Sequence, residues 1–301
     1  MVGSALVRAL EPLGAEVIAR TSSELDLRNQ AATAAFFHAE RPEIVLFAAA
    51  RVGGIQANIS APAEFLYDNL AMATHAIQAA HDAGCERFVF LGSTCVYPRL
   101  APQPMPETAL LTGELEPTNE GYALAKIAGL KLCQFYRQQY GVLFHSLLPN
   151  NLYGPGDNYH PERAHVVASL MRRFHEAKEE GRSSVVIWGT GRPLRELLYV
   201  DDLASAVLHA ATLDDPPDWM NVGSGEEVSV LELAQLVAEV VGFRGKLGTD
   251  PSRPDGTPRK AADISLLRST GWQPRVSLRD GLKQTYEAFL HDRERGLLRS
   301  L

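Results

Sequence analysis

Short, nearly continuous apolar runs alternate along this chain with longer stretches in which apolar residues recur every three to four positions. The runs are AEVIAR (15–20), EIVLFAAA (43–50), RFVFLG (87–92) and VLFHSLLP (142–149). Each predicts a strand buried on both faces of a parallel sheet. Between them, 62–83 places Phe65, Leu66, Leu70, Ala73 and Ile77 on one helical stripe and stops at Gly84. The stretch 119–140 opens behind Asn119 and closes at Gly141, the punctuation of a second long helix. Strand, crossover helix, strand is the signature of an α/β, doubly wound parallel sheet. MVGSALVRAL (1–10) reads as the opening turns of a helix packed on it.

Past about residue 155 the alternation loosens. YGPGDNYHP (153–161) predicts a loop, 164–179 a helix, VVIWGTGRPLRELLYVDD (185–202) further strands, and 228–241 and 277–290 two more helices. The expected organisation is one lobe from 1–155 plus about 190–213, and a smaller C-terminal α/β lobe from about 156–189 and 214–301.

Composition narrows the function classes. No apolar run approaches the roughly 18 residues that span a bilayer, so no membrane association and a cytoplasmic location are expected. Cys85, Cys95 and Cys133 form no C-x-x-C pair and are odd in number, which points to thiols rather than disulfides or a metal site. A net charge of −7 with no basic tract argues against nucleic acid, but leaves room for a few arginines around a small anion.

Two segments carry candidate chemistry. GYALAK sets Tyr122 and Lys126 four residues apart on one helix face, and a lysine ammonium beside a phenol is expected to favour the phenolate and bring an otherwise weak acid–base group into range. FLGSTCVYP (90–98) follows a strand; if it stays extended, Ser93, Cys95 and Tyr97 share a face. In an open parallel sheet the carboxyl ends of strands are where ligands bind. In RAHVVASLMRRF, His165, Ser169 and Arg173 fall at i, i+4 and i+8, one face of the predicted helix. Arg173 and Arg195 are candidates to grip phosphate oxygens through two bonds each, with Trp188 able to stack near a base or sugar.

Ser93 together with Tyr122-x-x-x-Lys126 on a doubly wound sheet resembles the extended, nucleotide-sugar-modifying branch of the short-chain dehydrogenase/reductase superfamily. AAARVGGI, GSTCVYP, EPTNEGYALAKIAGLKLC, NLYGPGDNYHP, PLRELLYVDD and PDGTPRK, in that order along the chain, are similar to the GDP-fucose-forming epimerase–reductases of that branch. The resemblance implies catalysis by Ser93, Cys95, Tyr122, Lys126 and His165: Cys95 removes protons beside a 4-keto group, His165 returns them on the other face, and Tyr122 protonates the alkoxide once the ketone is reduced. It implies cofactor contacts from Gly3, Arg20, Ala48, Leu91, Gly92, Ser93, Thr94, Lys126, Pro149, Asn150, Asn151, Leu152 and His165. It also implies GDP-sugar contacts from Arg173, Trp188, Arg195 and Asp255, and a homodimer through 62–83 and 119–140. The strand at 15–20 ends ARTSS, and Arg20 with its hydroxyl neighbours suits a ribose 2′-phosphate, so NADPH is the expected cofactor. Where dehydratases of the branch carry an acidic pair, this chain has Cys95 and Val96, so elimination of water is not expected. Competing readings are another extended reductase or epimerase, such as one acting on UDP-hexoses, and a non-catalytic dinucleotide-binding regulator.

Two departures from the branch stand out. Its Pro-Thr-Asn run is Pro149-Asn150-Asn151 here. Its opening strand and glycine-rich turn are represented only by Gly3, so roughly a dozen preceding residues are expected upstream of Met1, this chain being read as a start-site error or a fragment.

Overall fold

A computed structural model describes residues 1–161, 164–253 and 255–299. In chain order the elements are α1 (Val2–Leu10), α2 (Gln30–Glu40), β1 (Ile44–Phe47), α3 (Ile55–Ser60), α4 (Pro62–Asp82), β2 (Arg87–Leu91), α5 (Glu120–Tyr140), β3 (Leu143–Pro149), β4 (Asn151–Tyr153), α6 (Val166–Glu179), β5 (Ser184–Trp188) and β6 (Leu194–Tyr199), then α7 (Val200–Ala210), β7 (Trp219–Val222), β8 (Glu227–Ser229), α8 (Val230–Val241), β9 (Lys246–Asp250), β10 (Arg259–Lys260), α9 (Ser265–Ser269) and α10 (Leu278–Glu294).

β1, β2, β3 and β7 form a parallel sheet in the order β1-β2-β3-β7. Strand alternation sorts its side chains into two cores. Phe88 and Phe90 of β2 join Phe47, Phe144, Ile77 and Leu130 under α4 and α5, while Val89 and Leu91 join Leu147, Leu203, Val207 and Leu6 under α1 and α7. Truncating one of these phenylalanines costs about 3–5 kcal/mol. α5 lies unusually close to β2, because a Cβ on Gly129 would collide with the Phe90 ring. That approach brings the Tyr122 end of α5 over the end of β2.

A second sheet orders β10-β6-β4, with β8 antiparallel on β6, and β5 pairs with β9 in a third. A separate core joins α6, α8 and α10 to β5 and β6. The chain crosses between the two main sheets at points other than the expected boundaries. β7 belongs to the first sheet although it follows residue 213. β6, within 190–213, belongs to the second, while α7 directly after it packs on α1.

AEVIAR does not form the expected strand. Residues 15–20 are irregular and exposed, and among the described residues no strand lies beyond β1, whose Ile44 is 50% exposed. A strand is stabilised by its ladder partners, and an apolar pattern without a partner leaves its backbone to water. α2 carries no strong apolar stripe to announce it; it starts where Asn29 accepts a hydrogen bond from the Ala32 N–H at 3.1 Å.

Candidate active site

The site grows from the carboxyl end of β2. Gly92 permits a close approach to β3, since a Cβ there would run into the Leu148 side chain. Ser93 is extended (φ −165°, ψ 149°), and residues 94–96 then coil into a 3₁₀ turn in which the Cys95 N–H donates to Ser93 Oγ at 3.2 Å. The turn brings Ser93 and Cys95 together but breaks the shared face expected for an extended segment. Tyr97 is buried away from them, its hydroxyl donating to Asn221 Oδ1 at 2.7 Å. Burial and the Glu107 carboxyl hold that phenol protonated.

Tyr122 and Lys126 meet on one face of α5, yet their electrostatics differ from the expectation. Lys126 is buried; its Nζ donates to the Leu91 carbonyl at 2.7 Å and lies 4.9 Å from the Phe90 ring centre and 5.8 Å from that of Tyr122. Burial draws the lysine down to about 7. Tyr122 is pushed up, first by burial and then by the charge of Cys95, against a hydrogen bond with Ser93. Desolvation therefore outweighs any phenolate-stabilising effect of the lysine.

The lysine that does serve an acidic partner comes from the far end of the chain. Lys260, on β10 in register with Arg195 of β6, places Nζ 3.3 Å from Cys95 Sγ. Burial is the largest single influence on this thiol and opposes its ionisation, but Lys260, Ser93 and Asn119 together draw it below the ordinary thiol value. Asn119, just ahead of α5, keeps a buried Oδ1 that no described group donates to. Sequence reasoning missed both residues. PDGTPRK contains Lys260, but no local spacing connects position 260 with position 95.

Arg173 and Arg195 are half-buried. The former donates to the Val186 carbonyl, the latter to the Leu194 and Thr257 carbonyls at 2.7 Å. Among the described residues neither guanidinium has a carboxylate within 4.0 Å, and burial pulls both below the ordinary arginine value. Such desolvated cations without a direct ion pair are suited to a phosphate, although the Asp255 carboxyl acts on Arg195 from a distance. Trp188 is 66% exposed, with the Arg253 guanidinium 5.2 Å from its ring centre. Asp255 accepts from the Thr190 N–H and hydroxyl at 2.8 and 2.7 Å, bonds that hold its carboxyl below the usual range.

His165 departs from the expected helix face. α6 begins only at Val166, so His165 is its extended N-cap residue (φ −71°, ψ 166°) and is exposed. Among the described contacts none joins it to Cys95 or Tyr122.

Ala48, Leu91 to Thr94 and Pro149 to Leu152 line up at the carboxyl ends of β1, β2 and β3, which run in register. The Thr94 hydroxyl donates to Asn150 Oδ1 at 3.2 Å, and Asn151 Nδ2 to the same oxygen at 3.2 Å. Backbone edges, a close glycine and the buried amine of Lys126 at the mouth of the sheet fit a dinucleotide. Arg20 pairs with Glu40 at 3.1 Å and covers the Phe36 ring. Gly3 sits in the first turn of α1 with open space beside it.

Residues 1–223 match the model of the NAD dependent epimerase/dehydratase family. The chain belongs to that family. Within it, the chain is 56% identical to GDP-L-fucose synthase 1 of Arabidopsis thaliana over 96% of this chain and 90% of that protein. It is 48% identical to the GDP-L-fucose synthase of Escherichia coli strain K12 over 98% and 95%. Among solved structures, the GDP-L-fucose synthetase from Naegleria fowleri bound to NADP superposes with a TM-score of 0.89 at 27% identity, covering 97% of this chain and 92% of that one. Beside the Tyr122–Lys126 helix, the groups that act on the Cys95 thiol are Lys260, Ser93 and Asn119, with no carboxylate among them.

Proposed function

We propose that the chain is an NADPH-dependent epimerase–reductase that converts GDP-4-keto-6-deoxy-D-mannose to GDP-L-fucose. The observation that carries this reading is the 3.3 Å pairing of Cys95 with Lys260 beside Ser93 and Tyr122, in a chain similar over nearly its whole length to GDP-L-fucose synthases. A ketone at carbon 4 acidifies the hydrogens on carbons 3 and 5. Cys95, as thiolate, takes such a proton; the C–H electrons move to the ketone oxygen, where hydroxyls of Ser93 and Tyr122 stabilise the enolate. His165 returns a proton from the opposite face, inverting the carbon.

Burial keeps Tyr122 protonated, so it meets the second step as an acid and gives its proton to the alkoxide at carbon 4. NADPH, when bound, supplies the hydride to that carbon. The residues that would hold it are Ala48, Leu91 to Thr94, Pro149 to Leu152 and Lys126, with Arg20 at the 2′-phosphate, Gly3 near the pyrophosphate and His165 near the nicotinamide. Arg173 and Arg195 would grip the diphosphate, with Trp188 and Asp255 completing the GDP-sugar contacts. This gives the first sheet and its helices to the cofactor and the second lobe to the sugar nucleotide.

A symmetric homodimer through α4 and α5 is part of the same reading, supported by the exposure of Tyr67 and Phe135 on those helices, at 68% and 52%. No described helix is long and apolar enough to cross a membrane, and a cytoplasmic location is part of the same reading. The deciding assay supplies the purified chain with GDP-4-keto-6-deoxy-mannose and NADPH. Loss of reduced cofactor with GDP-fucose as product is expected; turnover of UDP-hexoses on tightly held NAD, without added reductant, would overturn the assignment.

A further inference from the structure

Glu196 is buried in the middle of β6 with no cation within 4.0 Å among the described residues. Its Oε2 accepts from Asn150 Nδ2 at 2.6 Å and from the Ala262 N–H at 2.8 Å; its Oε1 accepts from the Gly225 N–H at 2.7 Å. Burying an ionisable group without a counter-charge is costly, so what it does there calls for a physical account. The three donors arrive from three chain segments: the end of β3, the loop after β7 and the residues just past β10. A carboxylate presents about four lone-pair sites and no donor; no neutral side chain of similar size can accept from all three.

The segments it ties are those that carry the site. Ala262 lies two residues beyond Lys260, and Asn150 Nδ2 also reaches the Lys260 carbonyl at 3.4 Å. Asn150 Oδ1 in turn accepts from Thr94, the neighbour of Cys95. Strand alternation turns Glu196 to the opposite face of β6 from Arg195, whose register partner is Lys260. The carboxylate therefore holds the backbones on which the thiol and the amine sit, rather than facing the pair itself.

We infer that Glu196 is a positioning residue: it clamps β10 to the end of β3 and so fixes Lys260 against Cys95. Its catalytic consequence rests on Cys95 being the base, but the clamp has its own readout, the ionisation of the thiol. The groups around that thiol are Lys260, Ser93, Asn119 and Tyr122. A clamp and a simple nearby charge predict opposite signs. Removing a negative charge alone would lower a thiol's pKa, whereas releasing the lysine raises it.

The experiment follows alkylation of Cys95 against pH, read by mass spectrometry of its peptide, in the full chain and in Glu196→Gln, Glu196→Asp and Lys260→Met. Both Glu196 variants are expected to raise the thiol pKa by roughly one unit, about a tenfold loss of alkylation rate at neutral pH. Adding Glu196→Gln to Lys260→Met should then change it little further. An unchanged or lowered pKa in Glu196→Asp or Glu196→Gln would overturn the clamp. If Glu196→Gln does not fold, the charge-preserving Asp variant decides alone. Full deuterium uptake at carbon 3 by Cys95→Ser would instead overturn Cys95 as the base, leaving the thiol shift as evidence for the clamp.

Discussion

Two acid–lysine pairs lie within the same site, and they are built in opposite ways. Tyr122 and Lys126 are four residues apart on α5, neighbours that the helix repeat alone guarantees. Cys95 and Lys260 are separated by most of the chain and meet only because β10 docks beside β6. The local pair is not electrostatically paired: the lysine is bonded to the Leu91 carbonyl and drawn down by burial, and the phenol is pushed up. The distant pair is, and its thiol is drawn down. Proximity in sequence sets which side chains share a face; which of them share a charge depends on where each terminal atom finds a partner and how far water is excluded.

The strongest way to break this contrast is to remove the phenol. Tyr122→Phe should lower reduction by about 10³-fold while leaving solvent deuterium uptake beside the ketone measurable; unchanged single-turnover NADPH oxidation would remove Tyr122 from the proton-donor role. Cys95→Ser should do the reverse, cutting deuterium uptake by about 10²-fold with reduction of an already epimerised ketone within about threefold. Equal losses in both steps would merge the two pairs into one device. Lys260→Met should slow the deuterium uptake by about tenfold at neutral pH and move the alkaline-rising limb of its pH profile upward, since the thiol then lacks its cation; an unmoved limb would mean the 3.3 Å contact does not govern ionisation.

The smallest effect sharpens the local pair. Lys126 is drawn from 10.5 to about 7. Between those values the unfolded chain holds a proton that the folded chain does not, so this group makes stability rise with pH across that window. Below about 7 both states are protonated and its contribution is flat. Lys126→Met should therefore flatten the rise seen in urea melts between about pH 7 and 10; an unaltered slope would show that the amine stays charged in the fold.

Most of the first sheet is legible in the sequence, because β1, β2 and β3 are apolar on both faces and α4 and α5 are bounded by clear stop signals. The sequence misleads at 15–20, where the apolar pattern is present but no partner strand lies among the described residues, and is silent at α2, whose alanine-rich face carries little period. At the site, Ser93, Cys95, Tyr122 and Lys126 were legible from two short segments and do converge. An extended chain would put Tyr97 beside Ser93 and Cys95, but the 3₁₀ turn at 94–96 sends it to Asn221. The i, i+4, i+8 spacing puts His165 on a helix face, but that helix begins one residue later.

What the amino-acid order determined by itself was periodic: the strand–helix alternation, the ends of α4 and α5, the shared face of Tyr122 and Lys126, and the presence of a thiol and hydroxyls at the end of β2. These follow from repeats of two and 3.6 residues and from the local chemistry of glycine and capping side chains. Only the tertiary structure decided that Lys260 is the cation of Cys95, that Lys126 is a buried amine bonded to a carbonyl, and that Glu196 gathers three donors from three segments. Those outcomes depend on long-range docking and on the exclusion of water, and no spacing along a single segment encodes either.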